Sequence, residues 1–526
     1  MQEKHCTNNI PSDSDLIVPY TRVQIQIGIG LLLVLAFLLM LFRPVLLYLG
    51  DPVSVRYSTI QLIEEGTINV NQSVVKKFGA RGQYFFENEK TGLWYPKYGI
   101  LNTLLYVPPL LVERVVEGSL EGVRDMSASQ LKNRVFVLNL YNILFSLGIA
   151  AYLYFIALNY GASPKVAVIY VFGCLFGTFL WNYLRAQTFE IFQLCFFLGL
   201  YYSLVRYTRL VKSGETRMTK THFWLILFFT SLLVLEKLAF VLLIPIVLAW
   251  ILWIDMQFKN LYESNNISLW KYAFRKNLLS FTVFLAGLMM LVFWANWHRF
   301  GSPFNTGYAQ WEQEKHFLTG NPVDGLYGFL FDKQKSIFLY FPLLIFALFR
   351  FRSFLKKYTV EFVFVLTVFF TYYVFNSFFI NWRGNWCYGP RYLLFILPLL
   401  SLPVLNLFES EKNIKSRPVS RILRGTLILT LLMSAFCQTC VNMMAFEATF
   451  STIDYYAKAK NEQINSYLKS PFWIINLDLL RHKMGQKVFP PLRILKPNIS
   501  DKSFQKHSAF INSQCESNFF FLHKSQ

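Results

Sequence analysis

About eleven apolar runs, each near the length that crosses a bilayer, divide this chain of 526 residues. They fall at 23–49, 135–158, 164–182, 187–206, 222–236, 237–254, 278–297, 336–349, 358–378, 391–408 and 425–445. A helix needs roughly 20 apolar residues to span the hydrocarbon core. The pattern predicts an all-α polytopic membrane protein, with residues 22–445 as its multi-span domain. Residues 1–21 read as a short cytoplasmic leader, and residues 446–526 as a polar extracytoplasmic tail. The apolar core at 27–42 is long and lacks a small-residue cleavage site, so it reads as a retained signal anchor.

Orientation follows from where the cations gather. With the N-terminus inside, four basic clusters fall on the cytoplasmic side: Arg206 to Lys220, Lys259 to Lys276, Arg350 to Lys357 and Lys412 to Arg424. That is what the positive-inside rule asks. Counting Ile100–Val116 as a crossing would put all four outside. Pro108-Pro109 interrupts that segment and Glu113-Arg114 lie in its second half, so it reads as an interfacial helix in a large first extracytoplasmic loop, 51–134. The second large loop is 298–335. Asn88 to Gly92 and Gly79 to Gly82 carry turn signals.

Composition removes whole classes of function. Hydrophobic residues make up 54% and charged residues 15%, so the net charge of +21 belongs to loops that fix topology and not to a nucleic-acid surface. Cys437 and Cys440 have the spacing of a metal or redox pair, but they sit in an apolar run with no nearby histidine and read as packing. There is no phosphate-binding glycine loop, no nucleophile elbow and no zinc-protease motif. No cofactor is expected, and no metal is indicated.

The polar residues left on the outer side are few. Asp51 stands between Gly50 and Pro52 where the first span leaves the membrane; it is either a turn-forming aspartate or a general base. A sugar carried on phosphate leaves with its own stable anion, so one base and a set of cations would suffice. Arg56, Glu64 and Glu65 share its loop. Lys97, in Tyr95-Pro96-Lys97-Tyr98-Gly99, is either a phosphate contact or a snorkelling lysine. Arg185 and Glu190 bracket a short external turn, as a structural ion pair or as two walls of a polar cavity. Glu236-Lys237 breaks a long apolar stretch and reads as a tight turn with Lys237 directed into a cavity. The densest motif is Trp382-Arg383-Gly384-Asn385-Trp386-Cys387-Tyr388-Gly389-Pro390-Arg391-Tyr392. Its arginines have the fork geometry for phosphate and its flat rings suit a sugar, against the alternative of an aromatic belt.

Taken together these motifs resemble the GT-C superfamily of integral-membrane glycosyltransferases. The likeness is to family-39-like enzymes, related to protein O-mannosyltransferases and to the aminoarabinose transferase of lipid A. It is carried by Gly50-Asp51-Pro52…Arg56-Tyr57, Trp94 to Gly99 with Val107-Pro108-Pro109, Asn296…Phe300-Gly301-Ser302-Pro303…Thr306-Gly307-Tyr308, and Gly389 to Leu394. The resemblance implies a polyprenyl-phosphate-linked sugar donor and transfer with inversion to a cell-envelope acceptor on the extracytoplasmic face, in a bacterial inner membrane. It implies Asp51 as the base, with Arg56, Lys97, Arg185, Arg383 and Arg391 as donor-phosphate contacts. Glu190, Tyr57, Tyr98, Trp382, Trp386 and Tyr308 are then the substrate contacts. Two departures stand out. Pro52 replaces the acidic residue many relatives have there, and Lys97-Tyr98-Gly99 replaces a Lys-Pro-Pro-Gly-like run. The competing reading is a transporter or flippase of a lipid-linked saccharide. Such a protein should carry helix-breaking or charged residues at mid-membrane in paired halves, and only Glu236-Lys237 approaches that.

Overall fold

Long apolar runs fold as helices because no other open conformation satisfies the backbone in lipid. A computed structural model of the chain describes residues 20–43, 51–77, 84–118, 120, 135–185, 188–213, 215–257, 267–307, 318–384, 387–408, 417–443 and 476. Seven helices among these are long and apolar enough to cross a membrane: Arg22–Leu41, Val137–Asn159, Arg217–Glu236, Leu238–Met256, Asn277–Phe300, Thr359–Ser377 and Arg421–Asn442. The first span, α1 (Arg22–Leu41), starts from a capping box in which Thr21 and Gln24 satisfy each other's backbone amides.

Eleven crossings were expected, and the other four runs fold differently. The 164–182 run is split between α7 (Pro164–Phe176) and α8 (Leu180–Arg185), which follow α6 (Val135–Asn159). The 187–206 run becomes α9 (Glu190–Ser213), buried along nearly its whole length. A helix enclosed by its neighbours needs no lipid-facing surface, so it admits buried Gln193, Ser203 and Thr208. Two further runs break into short pieces. One gives α14 (Ile337–Tyr340) and α15 (Leu343–Lys357), after α13 (Pro322–Phe331). The other gives α17 (Leu397–Leu400) and two 3-10 turns, Arg391–Leu393 and Leu402–Leu407. Prolines at 342, 390, 398 and 403 start or interrupt these pieces, because proline cannot continue a helix it enters from within.

The segment that follows α1, expected from the sequence as the first outer loop, departs from the all-α expectation. After α2 (Asp51–Glu65) and α3 (Gln72–Lys77), a two-stranded antiparallel hairpin forms from β1 (Phe85–Asn88) and β2 (Leu93–Pro96). Its register pairs Phe86 with Tyr95, and Gly92 supplies the positive φ of +67° that the turn requires. The expected turn at Gly79–Gly82 lies outside the described residues. The expected interfacial segment is two helices, α4 (Ile100–Leu105) and α5 (Val107–Glu117), with proline in the first turn of α5 where its missing amide costs nothing. α5 turns Leu111, Val112, Val115 and Val116 outward.

The remaining helices are α10 (Thr216–Glu236), α11 (Leu243–Gln257), α12 (Ile267–Phe300), α16 (Thr359–Ser377) and α18 (Arg417–Met443). Aromatic rings bind the bundle across its interior, as in Phe197–Phe395, Phe240–Phe395 and Tyr372–Phe395, at 4.9, 5.1 and 5.0 Å between centroids. At one end of the bundle the start of α9 and the ends of α10 and α12 meet the first outer loop. The tail, apart from Asn476, lies outside the described residues.

Candidate active site

Asp51 opens α2, where a carboxylate faces the positive end of the helix dipole. It is partly exposed, and its Oδ1 accepts a hydrogen bond from the Tyr98 hydroxyl at 2.5 Å. Arg391 Nη1 lies 3.8 Å from Asp51 Oδ2 and 3.8 Å from Glu190 Oε1. Neither separation is a hydrogen bond, so the guanidinium sits between two carboxylates as a shared counter-ion with no donor fixed on either. Oδ2 therefore remains open toward an approaching hydroxyl.

Each of these groups is held from behind. Arg299, buried at the end of α12, donates from Nη1 to the Tyr98 carbonyl at 2.6 Å. The Asn102 amide donates to the Glu236 carbonyl at 3.0 Å, drawing α4 onto the end of α10. Gly99 packs directly on the Glu236 and Leu235 carbonyls, where a Cβ would collide. The Tyr98 ring packs on Phe189, one residue before Glu190, with centroids 5.1 Å apart. On the opposite wall, the buried Lys335 ammonium donates to the carbonyls of Cys387 at 2.5 Å and Gly389 at 3.3 Å. Gly389, at φ +66°, then turns the chain into Pro390 and Arg391. A Cβ on Gly384 would stand 3.0 Å from Arg391 Nε, so that turn must stay bare.

Lys97 is buried against this cluster, its ammonium 5.6 Å from the Tyr98 ring centroid and its amide bonded to the Tyr84 carbonyl at 3.2 Å. Burial pulls its pKa down to about 8; Asp51 opposes that shift and Arg391 adds to it. Tyr84 is pushed upward chiefly by burial, then by the Asp51 charge, with Arg391 opposing. Lys237 follows α10 in extended backbone and places its ammonium 5.1 Å from the Tyr392 ring centroid. Four cations and carboxylates from widely separated segments, Asp51, Lys97, Glu190 and Arg391, thus gather in one polar cluster, joined by Tyr84, Tyr98 and Lys237. Chemically it offers a partly open base and a cradle for an anion. Among the described residues no group of three or more His, Cys, Asp or Glu side chains comes together.

Several residues expected here are committed elsewhere. Arg56 is buried in an ion pair with Glu113, 3.0 Å from Oε1, and joins α2 to α5. Arg185 donates to the carbonyls of Phe42 at 2.6 Å and Asn442 at 2.7 Å, tying together the ends of α1, α8 and α18. Arg383 pairs with Asp332 at 3.0 Å and stacks on Trp382. Trp382 is itself a packing residue, 5.4 Å from Phe329 between centroids and seated on Gly328. Tyr57 packs at the edge of a small cluster formed by Val70, Val74, Val75, Phe85 and Trp94. Tyr308 and Trp386 lie outside the described residues. Tyr84 was not foreseen: a tyrosine ahead of a short strand carries no signal of its own. Lys237 did carry one, an ammonium in an apolar stretch.

No family model matches the chain, and no curated protein sequence does. Among solved structures, the chain is similar to the archaeal oligosaccharyltransferase AglB from Archaeoglobus fulgidus, in complex with an inhibitory peptide and a dolichol-phosphate. The identity is 11% and the TM-score 0.46, over 79% of this chain and 56% of that one. It is also similar to ArnT from Cupriavidus metallidurans bound to undecaprenyl phosphate, at 10% identity and TM-score 0.44, over 87% of this chain and 75% of that one. This chain spans only about 56% of the length of AglB.

Proposed function

We propose that the protein is an inverting glycosyltransferase that moves a sugar from a polyprenyl-phosphate-linked donor to a cell-envelope acceptor at the extracytoplasmic face. The observation that carries this reading is the partly exposed Asp51 carboxylate, held by Tyr98 on one oxygen and ringed by Arg391, Lys97 and Lys237. A base beside an anion cradle is the minimum this reaction needs.

The acceptor hydroxyl approaches Asp51 Oδ2. Its oxygen bonds to the anomeric carbon as the bond from that carbon to the phosphate oxygen breaks, and its proton passes to Asp51. The electron pair leaves on the polyprenyl phosphate, whose growing negative charge is met by Arg391, Lys97 and Lys237. Glu190 holds Arg391 from the far side, so the guanidinium cannot collapse onto the base. Attack from the face opposite the leaving group inverts the anomeric centre.

The test is sugar transfer from a radiolabelled polyprenyl-phosphate-sugar extract to native envelope material, comparing membranes that hold wild type or Asp51→Asn at equal levels. The substitution keeps the shape and removes proton acceptance, so transfer should fall about a hundredfold or more. Equal transfer by both would reduce Asp51 to a helix-start residue. If neither transfers, movement of a lipid-linked saccharide is the reading to test next.

A further inference from the structure

The far ends of the same helices hold a second polar cluster. Tyr20 precedes α1, Asn159 ends α6, Arg206 lies in the last two turns of α9, and His222 is in the second turn of α10. The Tyr20 hydroxyl donates to Asn159 Oδ1 at 3.2 Å and lies 3.3 Å from the Tyr202 hydroxyl. The Arg206 guanidinium is 5.9 Å from the Tyr20 ring centroid, and the Tyr202 and His222 rings are 6.3 Å apart. Within this cluster Asn159 Nδ2, Arg206 Nε and His222 Nδ1 are buried without a hydrogen-bond partner. Asn159 is 8% exposed and His222 6%. Arg209 adds a second positive charge and donates to the Asn159 carbonyl. The Glu215 carboxylate, whose charge acts on His222, is occupied by the amides of Arg217 and Met218 at the start of α10.

Buried polar atoms are almost always paired, and three unpaired in one place call for an explanation. An arginine cannot relieve its burial by losing its proton. A guanidinium N–H, an amide N–H and an imidazole N–H are all donors, and one anion with several oxygens satisfies all three together. Tyr20, Tyr202 and Arg206 are only half-buried, so the cluster opens on one side. This is also the end where the basic loops gather, and basic pockets between spanning helices there suit phosphate headgroups. Glu190 and Arg206 stand sixteen residues apart on α9, about 24 Å, which separates this cluster from Asp51.

We propose that Arg206, His222, Asn159 and the hydroxyls of Tyr20 and Tyr202 form a binding site for a phosphate-bearing anion, at the opposite end of the bundle from Asp51.

The test is native mass spectrometry of the full-length protein in neutral detergent, with phosphatidylglycerol, with diacylglycerol of the same tails, or with inorganic phosphate. Wild type should retain phosphatidylglycerol and not diacylglycerol. Arg206→Gln should lower retention at least tenfold, and His222→Phe, which keeps a ring against Tyr202, should lower it too. Arg352→Gln, an exposed arginine on the same end, should leave it unchanged. Retention of inorganic phosphate with the same dependence on Arg206 would assign the site to free phosphate. Equal binding of diacylglycerol, or losses as large in Arg352→Gln as in Arg206→Gln, would overturn the proposal.

Discussion

Tyr98 donates its hydroxyl hydrogen to Asp51 across 2.5 Å although 47 positions separate them in the chain. That bond fixes which oxygen of the carboxylate is taken and which is left open. Tyr98→Phe keeps the ring against Phe189 and removes only the donor. A hydrogen bond to a charged group is worth about 1.5–3 kcal/mol. If Tyr98 orients the base, kcat for sugar transfer should drop about tenfold or more with the donor KM little changed. A rise in donor KM at constant kcat would instead make Tyr98 a binding residue.

Arg391 and Arg383 lie in one motif and should behave oppositely. Arg391→Gln removes the cation shared by Asp51 and Glu190, and kcat/KM should fall about a hundredfold or more. Arg391→Lys should recover only part, since a lysine cannot bridge two groups as a fork does. Arg383 is in a half-exposed pair with Asp332, so Arg383→Ala should cost less than about 1 kcal/mol and leave transfer within a few-fold of wild type. Steady-state kinetics of both variants beside wild type decide the matter.

Lys97 gives the site a pH dependence. With its pKa lowered by burial to about 8, Lys97 is charged below that pH and neutral above it. Donor affinity should fall as pH rises through about 8, and Lys97→Arg should move the loss to higher pH. The effect on stability has the opposite sign. Between about 8 and the ordinary lysine value the unfolded chain binds the extra proton, so the penalty that burying Lys97 places on the folded state is relieved as pH rises through that window. Donor KM and thermal melting, each measured from pH 7 to 10, should therefore diverge.

Arg56 and Glu113 are both buried, so breaking the pair leaves one charge stranded. Glu113→Gln should cost about 3–5 kcal/mol, seen as a lower melting temperature, whereas the double change Arg56→Met with Glu113→Leu should recover most of it. If Arg56 served the donor phosphate, the double variant would be stable and inactive. Stable and active is the expected result.

Gly99→Ala pushes a methyl group into the Glu236 and Leu235 carbonyls. Overpacking of this kind costs about 1–3 kcal/mol, and here it would also shift Tyr98 away from Asp51. Transfer should suffer more than melting temperature does.

These outcomes show where reading the residues works and where it stops. Spans such as α1, α11 and α12 are legible because an apolar run of that length has few alternatives. Asp51, Lys97, Tyr98, Glu190 and Arg391 were picked out by type and outer-side placement, and the fold brings them together. The same criteria picked Arg56, Arg185, Arg383 and Trp382, which the fold sends to Glu113, to two carbonyls, to Asp332 and to Gly328. Residue type gives a side chain's chemistry but not its partner, and each of these partners comes from a distant segment. The four runs outside the long apolar helices differ from one another: enclosure lets α9 be more polar, prolines interrupt the 336–349 and 391–408 runs, and the 164–182 run breaks at 177–179, where no proline stands.

Lys335 grips the carbonyl oxygens of residues 387 and 389 and also reaches the Cys387 sulfur, at 3.2 Å. Its hold on the Arg391 loop therefore runs through both the backbone and the thiol at 387. A saturation scan should find Cys387→Ser tolerated better than Cys387→Ala, while position 335 tolerates nothing that lacks a long cationic arm. Gly389 should be as intolerant, through its left-handed backbone and the Phe179 ring against it. One buried ammonium thus holds this loop by backbone and thiol together, and the arginine it presents depends on both.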